Sequence, residues 1–162
     1  MEKIPLKTSA SFRLETERLD QKGIVQMTET CRGRCLCKAV SFEIDLPIFA
    51  CVNCHCESCR RQCSAPMTTY IGIPDGHWRW TGKEPKVFHS SPGVERTFCD
   101  NCGTPISFRS QAMSGMMHLY LAALDDPEKF QPTLHVSHEE KLRWYEIGDD
   151  LPTHKGPDYT TK

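Results

Sequence analysis

From Val40 to Asp45 apolar and polar residues alternate, with Val40, Phe42 and Ile44 set against Ser41, Glu43 and Asp45. A period of two predicts a half-buried strand, and Pro47 ends it. Shorter segments of the same kind predict strands at 67–73, 78–81, 86–90, 95–98 and 105–109, separated by the turn signals Pro74-Asp75-Gly76, Thr81-Gly82 and Ser91-Pro92-Gly93. Met117, Leu119 and Leu121 alternate with His118, Tyr120 and Ala122, a strand expected inside the sheet. Asp126-Pro127 offers an N-cap and a first-turn proline for one helical turn through Phe130, and 131–136 adds a further strand. Many short strands between turns predict an all-β fold of antiparallel strands with little helix. Residues 1–27 lack periodicity and read as a weakly structured tail or weak helix, 28–152 as the domain and 153–162 as an irregular end. Trp78, Trp80 and Trp144 read as core or strand-pairing residues.

At 162 residues, with 38% apolar side chains, the chain is long enough for one domain with a real core. The formal net charge is −1 and Lys and Arg are scattered, so the field needed to hold a phosphate backbone is missing and nucleic acid is excluded as a partner. No apolar run reaches signal-peptide length at the start or membrane-spanning length anywhere, which predicts a cytoplasmic protein without a membrane partner. Ten cysteines then change the picture, because clustered thiols in a reducing compartment bind metal more often than each other.

Five of those cysteines fall between Cys51 and Cys63, and Cys54, Cys56 and Cys59 have the CxCxxC spacing that puts three thiolates on one ion. Three local ligands leave a tetrahedral zinc with one open position, the mark of a site that does chemistry. Cys35 and Cys37 as CxC, with Cys99 and Cys102 as CxxC before Gly103, supply four further thiolates for a closed structural site. Spacing alone permits other partitions of the seven. Cys31, Cys51 and Cys63 remain as small buried residues, unless Cys51 or Cys63 closes the second site.

The segments GRCLCKAVSFEI, CVNCHCESCRR, SSPGVERTFCDNCGTPISFRS and LDDPEKFQPTLHV, in that order, resemble the glutathione-dependent formaldehyde-activating family, which also contains centromere protein V. The likeness runs from about Gly33 to Leu151. It implies a β-tent fold with two zinc ions, one structural on Cys35, Cys37, Cys99 and Cys102, the other reactive on Cys54, Cys56 and Cys59. It also implies a carbon–sulfur lyase activity, the condensation of glutathione with formaldehyde or its reverse. Lys38 stands where the family commonly has glycine, and Cys31 and Arg34 where small residues are typical. If that glycine is left-handed, Lys38 carries strain.

Three thiolates outweigh the charge of one zinc ion, so bound water is poorly acidified and hydrolysis is disfavoured. An open position among soft sulfurs suits a fourth sulfur, so the expected partners are a small thiol such as glutathione and a small aldehyde. Cys54, Cys56 and Cys59 are the expected catalytic set, and Arg60 or Arg61 the expected binding group for a carboxylate of the thiol. His55 reads as a hydrogen-bonding or packing residue, Glu95 and Arg96 as surface ion-pair residues, and Phe98 as packing on the CxxC knuckle. The remaining histidines lack metal spacing. A non-catalytic thiol carrier and a purely structural two-zinc interaction module are the competing classes.

Overall fold

The computed structural model describes residues 16–19 and 25–156. Strands β1 (Thr16–Leu19) and β2 (Val25–Thr28) pair antiparallel, so the described parts of the expected tail are strand and not weak helix. The rest of that stretch, and 157–162, lie outside the described residues.

Three strands, β3 (Thr30–Arg34), β4 (Ser41–Asp45) and β7 (Trp78–Trp80), form a small sheet with β4 in the middle. A larger sheet runs in the spatial order β12 (His135–Val136), β5 (Ala50–Cys54), β6 (Thr68–Pro74), β11 (Met116–Tyr120), β10 (Pro105–Ser110), β9 (Val94–Phe98) and β8 (Lys86–Ser91). All its pairings are antiparallel except β12 with β5. The all-β expectation holds, with every predicted strand but the last within a residue or two of its place and β11 internal as its alternation required. Only the end of 131–136 is strand, and the turn at Pro127–Lys129 forms without a side-chain cap from Asp126.

Two apolar layers follow from the alternation. Phe42 and Ile44 of the small sheet meet Cys51, Ile71, Ile73, Met117 and Leu119 of the large one, all essentially inaccessible to water. The opposite face of the large sheet carries Val52, Cys54, Tyr70, Phe108 and Tyr120. Full burial of one such side chain contributes about 1.5–3 kcal/mol. Ile106 and Phe108 lie two apart yet belong to different layers, because the β9–β10 register slips between Pro105 and Ser107. The bulge re-aims Phe108 toward the second layer.

Asp45 is fully buried and ties the small sheet together, accepting from Thr30 Oγ1 and Arg79 Nη1, each at 3.2 Å. Trp78 and Trp80 pack edge to face at the core's margin as expected. Trp144 does not: it is 71% exposed, following β12 in a stretch with no sheet to join. Strands β3 and β5 carry no alternation signal. β5 is buried on both sides, Asn53 included, which suits a strand with both faces covered.

Gly33 of β3 lies against the small sheet's core and the 121–125 turn, and a Cβ there would stand 2.2 Å from the Phe42 ring and 2.7 Å from the Ala123 carbonyl oxygen. The backbone oxygen cannot rotate away. Gly33→Ala is therefore expected to destabilise the protein by about 1–3 kcal/mol in urea unfolding, as overpacked cores do.

Candidate metal centre

Two turns built alike bring four thiols together. The first follows β3, where Lys38 N–H donates to the Cys35 carbonyl at 3.0 Å, and the second joins β9 to β10, where Gly103 N–H donates to the Cys99 carbonyl at 2.8 Å. In each, the residue directly after the second cysteine has positive φ: +68° at Lys38 and +74° at Gly103. Glycine accepts this freely, whereas lysine carries strain of order 1 kcal/mol, as its place in the motif foretold.

The sulfurs of Cys35, Cys37, Cys99 and Cys102 all lie within 4.8 Å of one another. Cys37 Sγ stands 3.5 Å from Cys35 Sγ and 3.7 Å from Cys99 Sγ. A tetrahedron with metal–sulfur bonds of ~2.3 Å has edges of about 3.8 Å, so the donor set fits zinc without rearrangement. Hydrogen bonds favour the thiolate form at Cys37 and Cys102, whereas burial pushes the Cys99 thiol up to about 11. Asn101 Nδ2 donates to Cys37 Sγ at 3.2 Å and lowers its pKa, while the Thr104 hydroxyl, 3.1 Å from Cys102 Sγ, brings that thiol down to about 5.

The second group gathers Cys54, Cys56 and Cys59, again within 4.8 Å. Cys54 ends β5, and its alternation with Cys51 sends the two to opposite faces. Cys56 caps α1 (Glu57–Cys63), its sulfur accepting from Cys59 N–H at 3.4 Å. This short helix is absent from the periodicity; the cap, the Glu57–Arg61 ion pair and the left-handed Ser64 at its end create it locally. Within the trio Cys56 ionises first, held down to about 2 by the Cys54 and Cys59 thiols, while those hydrogen bonds hold the Cys54 proton in place. Among the described residues no fourth His, Cys, Asp or Glu joins the group. Cys51 is sealed between the sheets, its thiol pushed up to about 11 by burial, and Cys63 receives the Thr68 hydroxyl at 3.5 Å.

Arg96 is the residue that sequence reasoning misplaced. It is 5% exposed, and its Nη1 lies 3.9 Å from Cys59 Sγ and 3.2 Å from the Tyr120 hydroxyl, with Nε on Ser90 Oγ at 3.1 Å. Its register opposite Phe88 and Phe108 gave the only signal, and that requires the strand pairing. Arg60 Nε is bound to the His55 carbonyl at 2.9 Å, and Arg61 stands exposed with Glu57. His55 is fully buried, its Nε2 at 2.7 Å from His135 Nδ1, and His135 Nε2 meets Asp149 at 3.1 Å, a chain that fastens the C-terminal segment to β12.

A cleft of ≈ 720 Å³ lies beside the four-thiol group, bordered by Cys35, Leu36 and Thr104 and by Cys63, Thr68 and Tyr120. None of the three thiols lines it directly; Tyr120 is the wall they share with it, through Arg96. Such a volume suits a small molecule.

A two-sheet β protein carrying one four-thiol and one three-thiol group defines a class of cysteine-rich, zinc-capable domains. The chain belongs to the glutathione-dependent formaldehyde-activating enzyme family, whose profile matches residues 30–140 and so includes both groups. It is 38% identical over 78 residues to a Schizosaccharomyces pombe protein named as an uncharacterized lyase, a match covering 47% of this chain and about half, 55%, of that relative's length. A crystal structure of a Rhodobacter sphaeroides protein shares the fold with a TM-score of 0.50 at 18% identity, covering 58% of this chain and 87% of the other. No helix among the described residues is long and apolar enough to cross a membrane.

Two substitutions test the four-thiol group. Cys99→Ser is expected to unfold the domain, seen as loss of cooperative unfolding and of bound zinc, because structural zinc contributes on the order of 10 kcal/mol, more than a typical domain's margin. Lys38→Gly is expected to leave zinc content unchanged and to stabilise by up to ~1 kcal/mol, left-handed strain of ~1–2 kcal/mol being offset in part by the greater freedom of unfolded glycine.

Proposed function

We propose that the protein is a carbon–sulfur lyase-like enzyme that adds a small thiol, glutathione or a close relative, to a small aldehyde such as formaldehyde, or reverses that addition. One observation carries the reading: Cys54, Cys56 and Cys59 converge with no fourth donor among the described residues. Zinc held by these three thiolates leaves one tetrahedral position for an incoming thiol and favours its deprotonated form. Family membership and the lyase name of the yeast relative support the same reaction class.

The chain's own residues have separable parts in this reading. Cys54, on a strand buried on both faces, and Cys59, buried in the first turn of α1, give a rigid base, while the less buried Cys56 marks the open side. Arg96 offsets the net negative charge of a three-thiolate site. Arg60 is held by a backbone carbonyl, so Arg61, with its exposed side chain, is the one of the two left to reach a carboxylate of the thiol. The cleft beside Tyr120 houses the body of the thiol.

The alternative, a carrier that captures the thiol without turnover, uses the same site. Cobalt-substituted protein titrated with glutathione is expected to show a saturable rise in sulfur-to-cobalt charge transfer at one of two sites. Cys56→Ser should lose that capture by at least about tenfold, the scale on which losing a metal ligand's support acts, while keeping its far-ultraviolet circular dichroism. Two sites already four-sulfur and silent to glutathione would reduce the protein to a structural zinc module. Capture with no thiol–aldehyde turnover above the spontaneous rate would make it a carrier.

A further inference from the structure

Arg96 sits where a cation is costly. It is 5% exposed on β9, one strand in from the sheet's edge, and among the described residues no carboxylate forms an ion pair with it. Its contacts are Ser90 Oγ at 3.1 Å, the Tyr120 hydroxyl at 3.2 Å, Cys59 Sγ at 3.9 Å and the Phe108 ring, 5.6 Å from its centre. A buried guanidinium requires a counter-charge, and of the two anion-forming groups it touches, the Cys59 thiol and the Tyr120 phenol, the thiol is the more acidic. The same nitrogen, Nη1, reaches both the sulfur and the phenol oxygen. Tyr120 is therefore fastened to the three-thiol group by a charge-assisted bond that occupies its oxygen as acceptor. Its own O–H meets the Cys63 sulfur, a weak acceptor that a carbonyl oxygen gathering negative charge outcompetes, and the residue forms part of the cleft wall with Cys63 and Thr68.

Resting on the function proposed above, we infer that Tyr120 is a catalytic residue which receives the aldehyde oxygen by hydrogen bond, and that Arg96 is the positioning residue which aims it. In the addition, the lone pair of the thiolate sulfur forms the C–S bond and the carbonyl π pair moves onto oxygen. That oxygen develops negative charge beside the Tyr120 hydroxyl. It then takes up one proton from solvent, matching the proton the thiol released to solvent on becoming a thiolate, so thiol and aldehyde combine into one hydroxyalkyl thioether with nothing left over. Cleavage runs through the same contacts in reverse. A donor already oriented in a water-poor wall stabilises developing charge more than a mobile water does. Burial, with the Cys63 and Cys59 sulfurs nearby, keeps the phenol protonated and able to donate.

The experiment uses the full zinc-loaded chain and its cobalt form, with glutathione and 13C-formaldehyde as probes. Tyr120→Phe keeps the ring among Phe108 and its neighbours and removes only the oxygen. Expected are unchanged metal content, unchanged saturation by glutathione in the cobalt spectrum, and an exchange rate between formaldehyde and adduct lowered about 100-fold with the KM for thiol unmoved. A second readout is independent of turnover. In protein labelled with [13Cζ]tyrosine, the Tyr120 resonance, identified by its loss in Tyr120→Phe, is expected to shift when formaldehyde joins the thiol-saturated protein. Arg96→Lys keeps a cation beside Cys59 but not the two-way reach of the guanidinium, and should slow exchange in the same sense with thiol capture retained. It serves as the deciding variant if Tyr120→Phe does not fold. Exchange within twofold of wild type, or an unmoved Tyr120 resonance, overturns the assignment while leaving the function intact. Wild-type protein that captures thiol yet exchanges no faster than buffer removes the enzyme reading and this one with it.

Discussion

Everything in this molecule depends on sulfurs that must meet from far apart in the chain. Cys37 and Cys99 are 62 positions apart yet their sulfurs stand 3.7 Å from one another, where the β3–β4 turn of the small sheet meets the β9–β10 turn of the large one. Four thiolates at that distance would repel one another, so the ionised group calls for a cation among them. The two sheets share one apolar layer, and the four-thiol group fastens its margin. This is why the turns that carry it accept a strained lysine.

The second group uses the same chemistry for a different end. Its ligands come from one strand end and one helical turn, so it closes locally and needs no long-range crosslink. The sheet then adds what the motif lacks. Strand β9 delivers a cation from beneath, and β11 delivers a phenol beside it, both through the face that the β10 bulge makes aromatic by turning Phe108 into it. The bulge, the buried arginine and the thiol group are thus one construction: the register slip supplies the ring on which the guanidinium lies, and the guanidinium balances the sulfurs.

The two groups differ in what they join. The four-thiol group links a turn of one sheet to a turn of the other, whereas the trio belongs to one strand end and the cap of α1.

The sequence by itself determined the strands, the clustering of seven cysteines in three short motifs and the strain at Lys38. Alternation of period two and cysteine spacing are local signals, and local geometry is what they encode. Tertiary structure decided the rest. It partitioned the seven thiols, which spacing left open, because only the folded sheets bring residues 35 and 99 together. It turned Cys51 into the inter-sheet core and away from the reactive trio, a matter of which face of β5 meets which layer. It left Trp144 in water, since no strand was there to receive it. Above all it buried Arg96, which as one residue of an alternating strand looks like any surface charge. What sets it apart is its pairing across to Phe108 and the approach of Tyr120 and Cys59 from other elements. Those neighbours are set by register and packing, and neither is written at the residue itself.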